Sequence, residues 1–373
     1  MRRMCGIQNP TRFCIEPIFI SVLPPKKTNT ADKLDNLPIK RCGNLLRKMQ
    51  QIQKSRGEKI LIGMDNEIKR DLPGIQWFPG HMRKAQRLIE ENLKLVDVII
   101  ELLDARIPAS SANPLLAKII EGKPRLIALN KSDLADPAMT KKWLCYFHAQ
   151  GVRAVAIDAN KGKGVKQLVA EAEDLARPRT ERFAKNGGRP RAARCMILGI
   201  PNVGKSSLIN RLAGAARTKT ANMPGVTRAK QWIKIGRNLD LLDMPGVLWP
   251  KFEDSSVGLK LAFTGAINDE IYDHEQVVGL LLDVLLRDAP KRLIERFKLS
   301  EPLPSQGHEL LKLIGRKRGC LVKGGEVDMD KAQRIVMAEF RSGMLGHITL
   351  DQIPRGGTKK DANEKDNTIH RCE

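Results

Sequence analysis

The sequence predicts an α/β domain built on a mostly parallel six-stranded sheet, followed by a small all-helical domain. Three observations carry that expectation. From residue 75 onward short apolar runs alternate with amphipathic stretches, the order produced by strands joined through crossover helices. Beyond about residue 275 the strand signals stop and helical periodicity takes over. The segment 199–206, GIPNVGKS, is a complete phosphate-loop motif set between a strand pattern and a helix pattern.

The elements follow in order. Residues 97–103 (DVIIELL), 125–129 (RLIAL), 153–157 (RAVAI) and 194–198 (RCMIL) are nearly continuous in apolar side chains, as strands covered on both faces are. Helical patterns at 114–120, 137–149 and 165–176 lie between them. Segments 230–235 and 239–242 flank Gly236, Arg237 and Asn238 and read as a hairpin, which makes one strand antiparallel. Residues 177–194 hold Pro178, Gly187, Gly188 and Pro190 among many arginines. They read as an exposed connector between the third and fourth strands, either touching RNA or simply solvated. Helices are expected at 207–212 after the phosphate loop, then at 277–286, 307–314 and 331–341. The expected organisation is 1–74 as a disordered extension, or one translated from upstream of the true start, 75–270 as the nucleotide domain, 271–353 as the helical domain and 354–373 as a disordered tail.

Charge and composition narrow the class. Against 42 Asp plus Glu stand 65 Lys plus Arg, a formal charge of +23 spread over the whole chain, which attracts polyanions, RNA foremost. The seven cysteines form no CxxC pair and no grouping with the six histidines, which speaks against a zinc site or a disulfide framework and for a reducing compartment. No apolar run approaches the roughly 18 residues of a membrane span. Glu16 is the only acid in the first thirty residues, a pattern shared with organellar transit peptides, yet serine is nearly absent there. A cytoplasmic location is the expectation.

In the motif 199–206 the glycines let backbone N–H groups wrap phosphates without Cβ clashes, and the following helix adds a favourable dipole. Asn202, Val203, Gly204, Lys205, Ser206 and Ser207 are therefore candidate nucleotide-binding residues, with Lys205 on the β- and γ-phosphates and Ser206 on magnesium. The base is chosen elsewhere. Asn130, Lys131, Ser132 and Asp133 follow the strand at 125–129, and the Asp133 carboxylate accepts from both guanine N1–H and the exocyclic amine, donors that adenine lacks there. Asn130 would brace the loop, and the Lys131 stem would lie on the base. Ala159, after the strand at 153–157, is placed to offer its N–H to the guanine oxygen. Asp243 and Gly246 of the turn DMPG supply a carboxylate for the magnesium shell and an N–H for the γ-phosphate, and Thr227 in a candidate switch loop closes over magnesium.

The order of these parts is unusual. In ordinary GTPases the phosphate loop precedes the base-reading loop, whereas here Asn130 comes before Gly199, which predicts a circularly permuted P-loop GTPase domain. With WFPGHM at 77–82, DARIP at 104–108, KRG at 317–319 and GHITL at 346–350, the chain resembles the ribosome biogenesis GTPase A family between about residues 75 and 353. Asp158 departs from the serine more usual in that family.

The resemblance, with the basic charge, implies GTP hydrolysis to GDP and phosphate, binding to the large ribosomal subunit through rRNA and ribosomal proteins, a role in its late maturation, and a monomeric protein. It also implies that Asn202 holds potassium near the phosphates, the alternative being a residue that steadies the turn. The position after the DMPG turn is Val247, and an apolar side chain cannot orient water. His81 is the candidate that compensates as a catalytic group beside Lys205, Thr227 and Gly246, or else a structural histidine capping its loop. Rival readings are a small-molecule kinase, a non-hydrolysing RNA-binding scaffold, and a GTPase of tRNA modification or small-subunit maturation.

Overall fold

The computed structural model describes residues 80–214 and 232–354, apart from 237, 245, 249–251 and 253. Its sheet has six strands in the order β3-β2-β1-β4-β6-β5. These are β1 (Val98–Asp104), β2 (Arg125–Asn130), β3 (Arg153–Ala156), β4 (Ala193–Gly199), β5 (Trp232–Ile235) and β6 (Leu239–Asp243). All neighbours pair in parallel except β5 with β6, which form the expected hairpin. The phosphate-loop strand β4 lies in the middle, between β1 and β6.

Alternation along β1 sorts the two faces. Val98, Ile100 and Leu102 join the side that carries α4 (Val165–Lys185) and α5 (Lys205–Ala213) through Leu168, Ala172 and Leu208. Ile99 joins the opposite side, under α1 (Gly80–Asn92) and α2 (Pro114–Ile119), while Leu103 meets Trp143 of α3 (Pro137–Ala149). The acid in the middle of β1, Glu101, is buried but paired with Arg125 at the start of β2.

The connector differs from its sequence reading. α4 continues as helix past the expected end at Ala176 and through Pro178 to Lys185, before Gly187 at φ 83° turns the chain. Pro178 costs one N–H, yet the surrounding Ala, Arg and Glu are good helix formers and the first half of α4 is anchored to the sheet by buried Leu168, Ala172 and Ala176. The Thr180 hydroxyl also donates to the carbonyls of Ala176 and Arg177 near the proline.

After β6 come α6 (Ser255–Phe263), α7 (His274–Asp288), α8 (Pro290–Phe297), α9 (Gly307–Lys317) and α10 (Met329–Arg341). α6 left no amphipathic signal because Leu259, Leu261, Ala262, Phe263, Ser256 and Gly258 are all buried, so its helical period is hidden in an all-round apolar surface. α7 and α9 lie against one another, and Leu281 and Leu310 belong to the same apolar cluster as Ile197, Ile200 and Leu248 of the sheet and its carboxyl edge. The core makes no break at residue 271. Among the described residues no helix is long and apolar enough to cross a membrane.

A shared core makes the two regions depend on each other. Leu281→Ala, at a fully buried site, is expected to cost about 2–5 kcal/mol. Calorimetry should show sheet and helical region melting in one transition, and two well-separated transitions would show instead that each stands alone.

Candidate active site

Parallel strands bring their carboxyl ends to one edge, where ligands of such sheets gather. Here β1 ends in Asp104, β2 in Asn130, β4 in Gly199 and β6 in Asp243, with Asp104 level with Asn130 and Asp243 level with Ile197. The loops carrying every nucleotide motif in the described residues therefore meet on one side of the sheet.

Asn130 joins two of them. Its Nδ2 donates to the Val203 carbonyl at 2.8 Å, and its Oδ1 accepts the Ala159 N–H at 3.0 Å. It can do so because Gly204, at φ 102°, has no side chain: a Cβ there would sit 2.2 Å from Asn130 Nδ2. The Asn130 amide thus bridges the phosphate loop and the Ala159 loop. The Ala159 N–H, expected to face the guanine oxygen, is engaged by Asn130 in the structure, so base recognition through it has to share or displace that bond.

Lys205 opens α5, one residue after Gly204, with Ser206 and Ser207 in the same first turn. Its ammonium folds back onto the carbonyls of Gly199 at 3.2 Å and Ile200 at 2.7 Å. Burial lowers its pKa to about 8, against the pull of Asp243. Gly246 faces it: a Cβ at that position would be 2.7 Å from Lys205 Nζ. The phosphate loop and the DMPG turn therefore close around one cation.

The turn after Gly246 runs inward. Val247 and Leu248 are fully buried, the Val247 N–H donates to Gly199 O at 3.2 Å, and the Val247 carbonyl accepts from Asn113 Nδ2 at 2.9 Å. The side chain in that position is core, which is the physical reason it cannot position a water. Thr227 lies outside the described residues. His81 stands in the first turn of α1, and its side chain lies outside them too.

On the base side Lys131 has φ 59°, a left-handed conformation uncommon for lysine. Its ammonium is 3.0 Å from Asp104 Oδ2. Burial alone would raise the Asp104 pKa, yet the charges of Arg106 and Lys131 hold the carboxyl well below the usual carboxylate range. Asp133, one-third exposed, lies 3.4 Å from the outer Lys161 ammonium, its one ion-pair partner among the described residues. Asp158, the departure from the family pattern, shapes the Ala159 loop: its Oδ1 accepts the N–H groups of Asn160 and Lys161 at 2.9 and 3.0 Å.

Asn202, at φ 55°, donates from Nδ2 to the Gly265 carbonyl at 2.8 Å, just past the end of α6. Its remaining polar atom, Oδ1, is the one suited to a cation. Ser206 and Asp243 are hard oxygen donors, and among the described residues no three His, Cys, Asp or Glu group together as a metal cage. That donor set fits magnesium, which takes few protein ligands and shares the rest of its shell with phosphate oxygens and water.

Sequence reasoning missed several residues that build this edge. Asn113, Arg106 and the segment after α10 are the main ones. Ile348 N–H donates to Leu134 O at 3.1 Å, Leu350 N–H to Arg106 O at 2.8 Å, and Thr349 Oγ1 accepts from Asp136 N at 3.1 Å, so the GHITL run lies along the base-reading loop. Only the appearance of DARIP and GHITL in the family pattern hinted at roles for Arg106 and for this segment.

Fold and site together define a circularly permuted P-loop GTPase, which binds guanine nucleotide and hydrolyses GTP. Residues 194–303 match the family model described as 50S ribosome-binding GTPase, and the GDP-bound structure of TM YlqF covers 71% of this chain and 99% of its own at TM-score 0.52 and 27% identity. The chain is 52% identical over 278 residues to the ribosome biogenesis GTPase A of Priestia megaterium, spanning 74% of this chain and 96% of that protein. It is 33% identical to the mitochondrial ribosome-associated GTPase 1 of Bos taurus, over 74% of this chain and 88% of that one. The chain belongs to the ribosome biogenesis GTPase A family.

Two outcomes test the site. Because the Lys205 pKa falls to about 8 in the free protein, while phosphate anions favour its charged form, nucleotide binding must take up a proton once the pH passes that value. GDP affinity should be flat below pH 8 and fall toward tenfold between pH 8 and 9. Calorimetry in buffers of different ionisation enthalpy should show proton uptake approaching one in that window. Asp133→Asn should shift preference from guanine to xanthine nucleotides, read by competition binding; undiminished GTP affinity in that variant would remove Asp133 from the base site.

Proposed function

We propose that this GTPase acts in late maturation of the large ribosomal subunit, binding it tightly with GTP and weakly with GDP. The observation that carries the reading is a cationic surface on the helical region: Lys312, Arg316, Lys317, Lys323, Lys331 and Arg334 are all exposed, along α9, α10 and the loop between them. Such a surface suits rRNA phosphates. Arg318 belongs to it only in part, since Arg318 Nη2 binds Glu339 at 2.8 Å and its guanidinium stacks on Phe297. A cytoplasmic ribosome pool is supported by the higher identity to the bacterial relative than to the mitochondrial one, 52% against 33%.

In this account Asp133 reads guanine, Lys205 and the phosphate-loop N–H groups hold the phosphates, and Gly246 senses the γ-phosphate. Magnesium, held by Ser206, Asp243 and Thr227, would neutralise charge on the β- and γ-oxygens. Potassium at Asn202 Oδ1 would offset charge that develops during transfer. His81 orients the attacking water, whose oxygen bonds to the γ-phosphorus as the bond to the β-phosphate oxygen breaks, the water's protons staying on the phosphate so formed and the bridging electron pair leaving on GDP.

Loss of the γ-phosphate has a short route to the helical region. Asn202 holds Gly265, beside which Arg341 of α10 donates to the carbonyls of Phe263 at 3.2 Å and Ala262 at 2.9 Å. The Arg341 guanidinium also grips both oxygens of Asp269, at 2.8 and 2.6 Å. A shift of the phosphate loop therefore meets α6 and α10 directly.

Turnover measured with and without each ribosomal subunit tests the reading. The large subunit should raise GTP turnover and co-sediment far better with a non-hydrolysable analogue than with GDP, and added salt should weaken that binding. Turnover should be faster in potassium than in sodium at matched ionic strength. His81→Ala should lose rate while keeping nucleotide affinity. Stimulation by the small subunit alone, or by tRNA alone, would assign the protein to small-subunit maturation or tRNA modification instead.

A further inference from the structure

A buried ion cluster stands behind the base-reading loop, and the chemistry described above leaves most of it unused. Asp104 and Arg106 are both fully buried, at 1% and 2% exposure. Arg106 grips the carboxylate with both arms, Nε to Oδ1 at 3.0 Å and Nη2 to Oδ2 at 2.7 Å, and its own backbone N–H adds a third bond to Oδ1 at 3.0 Å. Ser111 Oγ accepts the Asp104 N–H at 3.1 Å, which holds the residue from the backbone side. The carboxylate can neither turn nor lose its charge in this setting. Its one remaining approach is taken by the Lys131 ammonium at 3.0 Å.

Lysine is a strongly hydrated point charge on a flexible stem, and left alone it stays in solvent. Here the ammonium is drawn inward, although burial lowers its pKa, with the Asp104 charge opposing that fall. The backbone is shaped for the same end. Lys131 takes its left-handed φ of 59° while Ser132 N–H is fixed to Ile157 O at 3.1 Å and Leu134 N–H to Lys131 O at 2.9 Å. Strain, an ion pair and loop hydrogen bonds all converge on where one aliphatic stem lies.

We propose that Asp104 is the positioning residue of guanine recognition: it pulls the Lys131 ammonium past the base site so that the stem is held as a preformed apolar floor for the purine, with Arg106 keeping Asp104 in place. The proposal rests on the reading of Lys131 as the residue that flanks the base. Its gain is preorganisation: the stem loses its rotamer freedom on folding rather than on nucleotide binding. The floor is also joined to the helical region. Arg106 Nη1 donates to the Arg341 carbonyl at 3.4 Å, the Arg106 carbonyl accepts from Leu350 N–H at 2.8 Å, and the guanidinium lies 5.8 Å from the Phe340 ring centroid.

Fluorescent-GDP affinity of three variants of the full chain tests it: Lys131→Ala, Lys131→Met, which keeps a stem but removes the anchor, and Asp104→Asn. Lys131→Met and Asp104→Asn are each expected to weaken GDP binding about tenfold, Lys131→Ala at least as much. The double variant Asp104→Asn, Lys131→Met should be no weaker than the worse single, and affinity should fall more than turnover at saturating GTP. If Lys131→Ala binds GDP like the parent, the base-flanking reading fails, and the proposal with it. If Lys131→Ala weakens binding but Lys131→Met does not, the stem reading stands and the anchoring by Asp104 is overturned. Losses that add in the double variant would likewise reduce Asp104 to a structural role. The Lys131 pair decides the matter even if Asp104→Asn does not fold.

Discussion

The nucleotide edge of this protein hangs on the side-chain amide of Asn130. It donates to the phosphate loop through the Val203 carbonyl and accepts from the base-side loop through the Ala159 N–H, so one buried group sets the distance between the two ends of a nucleotide. Each such bond contributes roughly 1 kcal/mol to stability, but leaving either partner buried and unsatisfied costs more than making the bond gains. The constraint reaches further than the amide. Gly204 must lack a side chain for Asn130 to reach Val203, and the left-handed turn that Gly204 makes is also what aims the start of α5, and so Lys205, at the phosphates.

A contact of this kind is indifferent to chain order, which is why the permutation leaves the site whole. The base-reading strands β2 and β3 precede β4 in sequence, yet they lie on the far side of β1 from it, and all present their carboxyl ends together. What changes is where the chain goes next. After β6 and the DMPG turn it leads into α6 and the helical region, and that region returns over the same edge. Asn202 meets Gly265, Leu134 meets Ile348, and Arg106 meets both Arg341 and Leu350. The nucleotide loops are thus backed by helical structure on both the phosphate side and the base side.

Charge is handled in two ways. At the edge, cations are buried or half-buried and tied: Lys131 and Arg106 share Asp104, and Lys205 is wrapped by carbonyls that phosphate oxygens can replace. Buried pairs of this sort add little net stability, but they specify one geometry because a missing partner is so costly. On α9 and α10 the cations are exposed, where they cost little and attract polyanions at long range.

The sequence by itself determined the sheet, its antiparallel hairpin, the phosphate loop, the base motif and the permuted order. These are local or periodic properties: a GxxxxGKS between strand and helix, or an apolar run of strand length, carries its structure in its own residues. α6 was hidden because burial on all sides erases its period, and the reach of α4 beyond Pro178 was hidden because a proline and many arginines look like a linker until packing anchors the first turns. Only the tertiary structure decided that Asp158 shapes its loop, that Asn113 holds Val247, that Asn202 reaches Gly265, and that Asp104 is shared by Arg106 and Lys131. Two of those contacts, Asn202 with Gly265 and Asn113 with Val247, join residues 63 and 134 positions apart. No spacing in a single sequence records a distance that exists only after the chain has folded.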